Sequence, residues 1–215
     1  QVGMLLGAVI GLTVAEVMAN LSGKVVAFAV PAEELVELEQ RVALRQQGRL
    51  EFLGGKQELI RLGELDDVDI AMMCHTAPGG GALPFSIGGT SNDNVVKLVR
   101  FQGRSAHAGR APHLGVNALN AASFAINAIH FNRETFLDAD TARSHGIITR
   151  GGDAPNAVPA DVRLEWRIRA STSEAVDRYS VVADRSFKAG ALAVGAGVTI
   201  QNIAGYLPMR NDPTL

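Results

Sequence analysis

Apolar positions come in solid blocks over the first seventy or so residues and alternate with polar ones after Asn94. Val2–Leu21 is apolar nearly all round, with Met4, Leu5, Val9, Ile10, Leu12, Val14, Val17 and Met18, the pattern of a helix buried between layers. Ser22-Gly23 ends it. Val25–Val30 is a short unbroken run rich in valine, the mark of a strand covered on both faces inside a parallel sheet. Pro31 cannot donate to a central ladder and closes that strand. Leu35–Gln46 reads as an amphipathic helix, and Gln57–Leu62 as a shorter one stopped by Gly63. Val68–Met73 predicts a second buried strand, ending on Cys74-His75 and followed by the glycine-rich loop Thr76–Gly81. A strand after a buried helix repeats the βαβ logic of a parallel sheet.

The second half has a different period. Val95–Gln102 alternates as a half-buried strand does, Pro112–His130 has a helical apolar side, and Ser144–Arg150 is a strand leading into Gly151-Gly152. Ala160–Ala170 sets Val162, Leu164, Trp166 and Ile168 on one face and Arg163, Glu165, Arg167 and Arg169 on the other. Thr172–Leu192 is helical, with Ser171 or Thr172 as its cap, and Val198–Ile203 is the last strand. This β-α-β-β-α-β order is the ferredoxin-like unit, two helices on one face of a four-stranded antiparallel sheet. The predicted fold class is α/β in two pieces. Residues 1–92 form part of an α/β domain with a parallel-type sheet, and 93–204 an inserted ferredoxin-like unit. Residues 205–215 return to the first domain. The joint is the loop Gly88–Asp93.

Composition narrows the chemistry. At 215 residues and 47% hydrophobic, the chain can bury a sizeable core. A net charge of −2, a pI near 6.2 and no basic stripe argue against a nucleic-acid partner. The single cysteine, Cys74, permits neither an intrachain disulfide nor a Cys-only zinc site, and fits a reducing, cytoplasmic setting. Val2–Ala15 lacks the basic start of a secretory signal, and its first following charge is acidic Glu16. No apolar run is long enough to span a membrane. Opening at Gln1 inside a helical pattern, the chain reads as an internal fragment of a longer fold.

The candidate chemistry sits at the ends of the predicted strands. Glu33 and Glu34 follow the first one, where open α/β sheets place ligands and catalytic groups. Two adjacent carboxylates can divide the labour, one holding a cation and one moving a proton, or they can simply be acids in the first turn of a helix. His75 ends the second strand and is either a metal-ligating imidazole partnering Glu34 or a structural histidine. Cys74 would point to the other face. His107 lies among small residues in Gly103–Gly109, suited to donating a hydrogen bond to a substrate oxygen, or it is an ordinary turn residue. His113 and His130 read as surface or capping groups, and His145 is uninformative. Asn156, in the stiff stretch Gly151–Pro159, offers both a donor and an acceptor. Arg169 can clamp a carboxylate bidentately, whereas Arg163 and Arg167 read as one solvated sheet face.

Taken together, the Pro31–Glu34 segment PAEE, the His75 strand end, GRSAHAG over Gly103–Gly109, GGDAPNAVP over Gly151–Pro159 and the IRA ending at Ala170 resemble the aminoacylase and carboxypeptidase family of dinuclear metallopeptidases, peptidase family M20, on its amidohydrolase side. The resemblance implies Glu33 as general base toward a metal-bound water. It implies Glu34 and His75 as ligands of a divalent metal (zinc, manganese, nickel or cobalt, two per full-length subunit). His107 would be the oxyanion stabiliser on a lid unit that also forms a homodimer. Asn156 and Arg169 would hold the substrate. The implied substrate is a small amide, an N-acyl amino acid or dipeptide-like molecule. Two departures stand out. The family's further ligands, upstream and near the carboxyl end, have no counterpart here, since no histidine precedes His75 and none follows His145. The usual glycine run after PAEE is replaced by LVELEQR, Leu35–Arg41. With two of about five ligands, the isolated chain is expected to hold metal poorly. The competing expectation is a catalytically inactive dimerisation or ligand-binding module.

Overall fold

A computed structural model of the protein describes residues 2–17, 20, 22–73, 75 and 88–214. It divides into two compact units, Gln1–Pro84 and Phe85–Leu215.

The second unit is built on a four-stranded antiparallel sheet. Its strands are β1 (Asp93–Gln102), β2 (Arg143–Arg150), β3 (Asp161–Ala170) and β4 (Gly197–Ala204), in the order β2-β3-β1-β4. β1 and β3 are central and pair from Asp93↔Ala170 to Gln102↔Asp161. The alternation in the sequence sets the faces. On β3 every even residue from Val162 to Ala170 is buried and every odd one is half-buried. The covered face carries Val99, Phe101, Val162, Leu164, Trp166 and Ile168 and packs beneath two helices. These are α4 (Ala118–Asn132) and α5 (Ser173–Val194), which pack on each other as well as on β1 and β3.

Each helix starts on a side-chain cap. Asn117 Oδ1 accepts from the Leu119 and Asn120 amides at 2.9 and 3.1 Å, and Thr172 Oγ1 accepts from the Ala175 amide at 3.2 Å. The predicted helix Pro112–His130 is broken near its start. Pro112–Leu114 is a single 3-10 turn, and Gly115 is extended before Asn117 begins α4. Where the helices touch, Ala118, Ala121, Ala122 and Ala125 are fully buried. A Cβ at Gly190 would lie 2.4 Å from the Ala121 carbonyl oxygen, so only glycine permits that approach.

A buried ammonium lies inside this layer. Lys97 is fully buried on the covered face and donates to Asp184 Oδ1 at 2.7 Å and to Asn202 Oδ1 at 2.8 Å. The Trp166 indole N–H donates to Ser144 Oγ at 2.9 Å.

The first unit holds α1 (Val2–Val17), α2 (Leu38–Gln46) and α3 (Gly55–Arg61). α2 begins three residues later than the sequence predicts, because Glu37 adopts a left-handed backbone, φ 52°, that interrupts the helix. Neither Val25–Val30 nor Val68–Met73 joins a β-ladder among the described residues. Both segments leave apolar side chains out: Val25 and Val26 are 57% exposed, and Met72 is 87% exposed. A parallel strand needs a partner on each edge and cover on each face, and the described part of this unit supplies neither. In the predicted buried helix Val2–Leu21, Val9 and Leu12 stand 57% and 72% exposed, and residues 18, 19 and 21 lie outside the described residues. Among the described residues no helix is long and apolar enough to cross a membrane.

Candidate active site

In the first unit the two glutamates follow a tight turn. Ala32 is left-handed at φ 53°, and its carbonyl accepts from the Gly55 amide at 3.2 Å. A Cβ at Gly55 would fall 1.9 Å from the Pro31 carbonyl oxygen, which explains glycine at that position. Arg41 donates to the Leu53 carbonyl at 2.8 Å and fastens α2 beside the turn. Glu33 and Glu34 are both exposed. The Lys56 ammonium, at the start of α3, donates to Glu33 Oε1 at 2.5 Å. Lys56 escaped the sequence reading: it lies 23 residues from Glu33, in no motif, and only the Gly55 approach brings it near.

His75 is exposed at the end of the Val68–Met73 segment, and Cys74 and the loop Thr76–Gly81 lie outside the described residues. Among the described residues no three His, Cys, Asp or Glu side chains gather as a metal-binding set. Glu34 and His75 are suitable donors by type, but two donors fall short of the three protein ligands that catalytic zinc sites keep. The described residues do not by themselves build a metal centre.

The second unit brings two predicted residues together. His107 Nδ1 accepts from the Gly109 and Arg110 amides, both at 3.2 Å. With Nδ1 engaged by these amides, Nε2, on the far side of the ring, is the nitrogen that can donate. The Ala108 amide donates to the Asn156 carbonyl at 2.9 Å, and the Val158 amide to the Ala106 carbonyl at 2.9 Å. These bonds flank the bridge between His107 and Ala157 and zip the two loops together. His107 and Asn156 are thus neighbours, both exposed, at the end of the sheet where Gln102 pairs with Asp161.

An arginine cluster braces that end. Asp161 accepts from Arg100 Nε at 2.6 Å and from Arg163 at 3.0 Å, and lies 3.4 Å from Arg150. Arg150 also holds Asp153, in the Asn156 loop, at 2.5 Å. Desolvation pushes the Asp161 carboxyl up, and the hydrogen bonds from Arg163 and Arg100 more than undo it, leaving it below the ordinary carboxylate value.

Arg169 is elsewhere. It pairs with Asn94 at the opposite end of β3, eight residues from Asp161, which is about 26 Å along a strand. Its Nε is buried with no hydrogen-bond partner. The structure joins His107 to Asn156 and separates Arg169 from both.

Residues 94–183, from β1 into α5, match the M20 family model described as a peptidase dimerisation domain. The chain belongs to the M20 peptidase family. Its similarity to the Xaa-Arg dipeptidase of Mus musculus is 33% identity over 151 residues, 70% of this chain and 33% of that M20 relative. With a p-aminobenzoyl-glutamate hydrolase of Escherichia coli K12 it shares 34% identity over 138 residues, 58% of this chain and 27% of that protein. The chain therefore spans about a third or less of these curated relatives. Among solved structures, a putative aminohydrolase from methicillin-resistant Staphylococcus aureus superposes with a TM-score of 0.62 at 23% identity, over 98% of this chain and 52% of that one, a likeness of fold.

Proposed function

We propose that this M20 member serves a metal-dependent amidohydrolase that cleaves the amide bond of N-acyl amino acids or small dipeptide-like substrates. The observation that carries the reading is the His107 loop. It holds the imidazole through Nδ1 and brings the Asn156 backbone alongside, which supports a role for both residues as donors to an amide oxygen as it gains charge. Glu33 takes the proton of the attacking water and returns it to the leaving amine, and Lys56 orients its carboxylate. Arg169 pairs with the substrate carboxylate. Glu34 and His75 are the donors this chain offers to a divalent metal, which when bound polarises the amide carbonyl and lowers the pKa of water. The separation of Arg169 from His107 also supports a homodimer. One copy cannot set all three residues on one small amide, whereas a second copy can bring His107 and Asn156 to the first copy's Arg169. The setting proposed is cytoplasmic, on the strength of the lone cysteine.

The test is turnover of N-acetyl amino acids by the whole protein with divalent metal added. Glu33→Gln is expected to lower turnover at least about a hundredfold and to leave metal affinity in place. Equal activity of wild type and variant overturns the assignment of Glu33. A metal-loaded wild type that hydrolyses nothing favours the second reading, an inactive dimerisation or ligand-binding module.

A further inference from the structure

The loop that carries His107 is closed twice, once by backbone and once by a side chain. At its base the Arg104 amide donates to the Val116 carbonyl at 3.0 Å and the Val116 amide to the Arg104 carbonyl at 2.8 Å, an antiparallel bridge. Gly103 permits that closure, since a Cβ there would lie 2.0 Å from the Val116 carbonyl oxygen. The second closure is the Arg104 guanidinium. Its Nε donates to the Leu114 carbonyl at 2.6 Å, a short, charge-assisted bond.

From Leu114 a file of backbone bonds leads back to the imidazole. The Leu114 amide donates to the Ala111 carbonyl at 3.1 Å, and the Ala111 amide to the His107 carbonyl at 2.9 Å. The Arg110 amide donates to that same carbonyl at 3.2 Å and also to His107 Nδ1. Residues 107–114 are thus two hydrogen-bonded turns in series, with His107 at one end and the carbonyl gripped by Arg104 at the other. Pro112, whose ring fixes φ, stiffens the join between them. Arg104 and Leu114 are both exposed, so losing the guanidinium leaves no deeply buried group unpaired. The tie acts on the freedom of the loop and not on the core of the unit.

We propose that Arg104 is a positioning residue for His107. Its guanidinium, acting through Leu114 and Ala111, holds the turn in the shape that keeps the Gly109 and Arg110 amides on Nδ1. The catalytic consequence rests on the role given to His107 above, whereas the tie itself does not. It also gives a part to the arginine of GRSAHAG, which residue order alone left without one.

Hydrogen–deuterium exchange on the whole protein tests it, read on peptides covering 107–114 and, for comparison, on peptides from β3 and α5. Arg104→Met keeps an apolar stem and removes the donor. The expected result is exchange at least about fivefold faster over 107–114, with β3 and α5 unchanged. Arg104→Lys restores a donor on a flexible stem and should return exchange to within about twofold of the wild type. With divalent metal added and an N-acetyl amino acid as substrate, the Met variant should lower kcat about tenfold and leave KM within about twofold, because an oxyanion donor acts on the transition state. Exchange over 107–114 that stays unchanged in the Met variant, or that rises equally in β3 and α5, overturns the tie. Faster exchange with kcat intact overturns the positioning role. Faster exchange confined to the turn in a protein that hydrolyses nothing upholds the tie and sinks the hydrolase reading, while hydrolysis with an unchanged turn does the reverse.

Discussion

Trp166 and Val26 are both large apolar residues in stretches whose pattern predicts a strand, and they meet opposite fates. Trp166 is 3% exposed in a strand paired on both sides, roofed by two helices. Val26 is 57% exposed in a segment with no ladder among the described residues. The difference lies in where each finds its partners. The antiparallel sheet closes on itself within Asp93–Ala204, so its strands, caps and helices are mutually sufficient. A strand of the parallel kind depends on neighbours remote in sequence and on cover from two layers.

Three perturbations separate the two regions, in descending order of effect. Phe187→Ala should be the most damaging, because Phe187 is fully buried and stacks edge-on against both Phe101 and Trp166. The expected loss is about 3–5 kcal/mol in denaturant unfolding followed by Trp166 fluorescence, against less than about 0.5 kcal/mol for Ile70→Ser, where the side chain is already exposed. Comparable losses would break the contrast. Asp184→Ala comes next. It leaves the buried Lys97 ammonium beside Asn202 alone, and should cost about 3 kcal/mol in the same measurement. Lys97→Met in that background should recover part of it.

The smallest effect belongs to the solvent-facing pair of the first unit. The Arg61 hydrogen bond, opposed by desolvation and helped by the Phe52 and Glu51 amides, lowers the Glu58 carboxyl to about 2. A depressed carboxyl contributes stability that is complete above its ordinary value of 4.5 and fades as pH falls through about 2. The pair is screened by water, so the contribution is small. Amide exchange in α3 should accelerate on acidification in the wild type and be nearly independent of pH over that window in Glu58→Gln, after correction for intrinsic exchange.

Much of the second unit could be read from residue order. The alternation over Ala160–Ala170 set its faces, and Thr172 marked the start of α5. What stayed hidden there was geometric. Gly115 breaks the Pro112–His130 helix because its extended backbone lets Asn117 serve as the cap, and no periodicity shows that. The loops GRSAHAG and GGDAPNAVP could be picked out one by one, but the amide bonds that zip them together become visible only once Gln102 is set against Asp161. Arg169 lies near the end of its strand, as its place in the sequence predicts, but residue order does not tell which end of the sheet that is. In the first unit, runs of valine and methionine signalled burial, and what would bury them is a tertiary matter on which hydrophobicity is silent. Lys56 reaches Glu33 through a backbone approach that only Gly55 allows, a contact with no sequence period.

The alanine seam between α4 and α5 has a mechanical consequence. Alanine and glycine have no rotamers to lose, so the roof over the sheet assembles at low side-chain entropy cost. Where Gly190 meets Ala121 the two backbones come together with no long side chain between them. Load applied at one end of the pair should pass to the other with little give, and the sheet beneath should move with it as one plate.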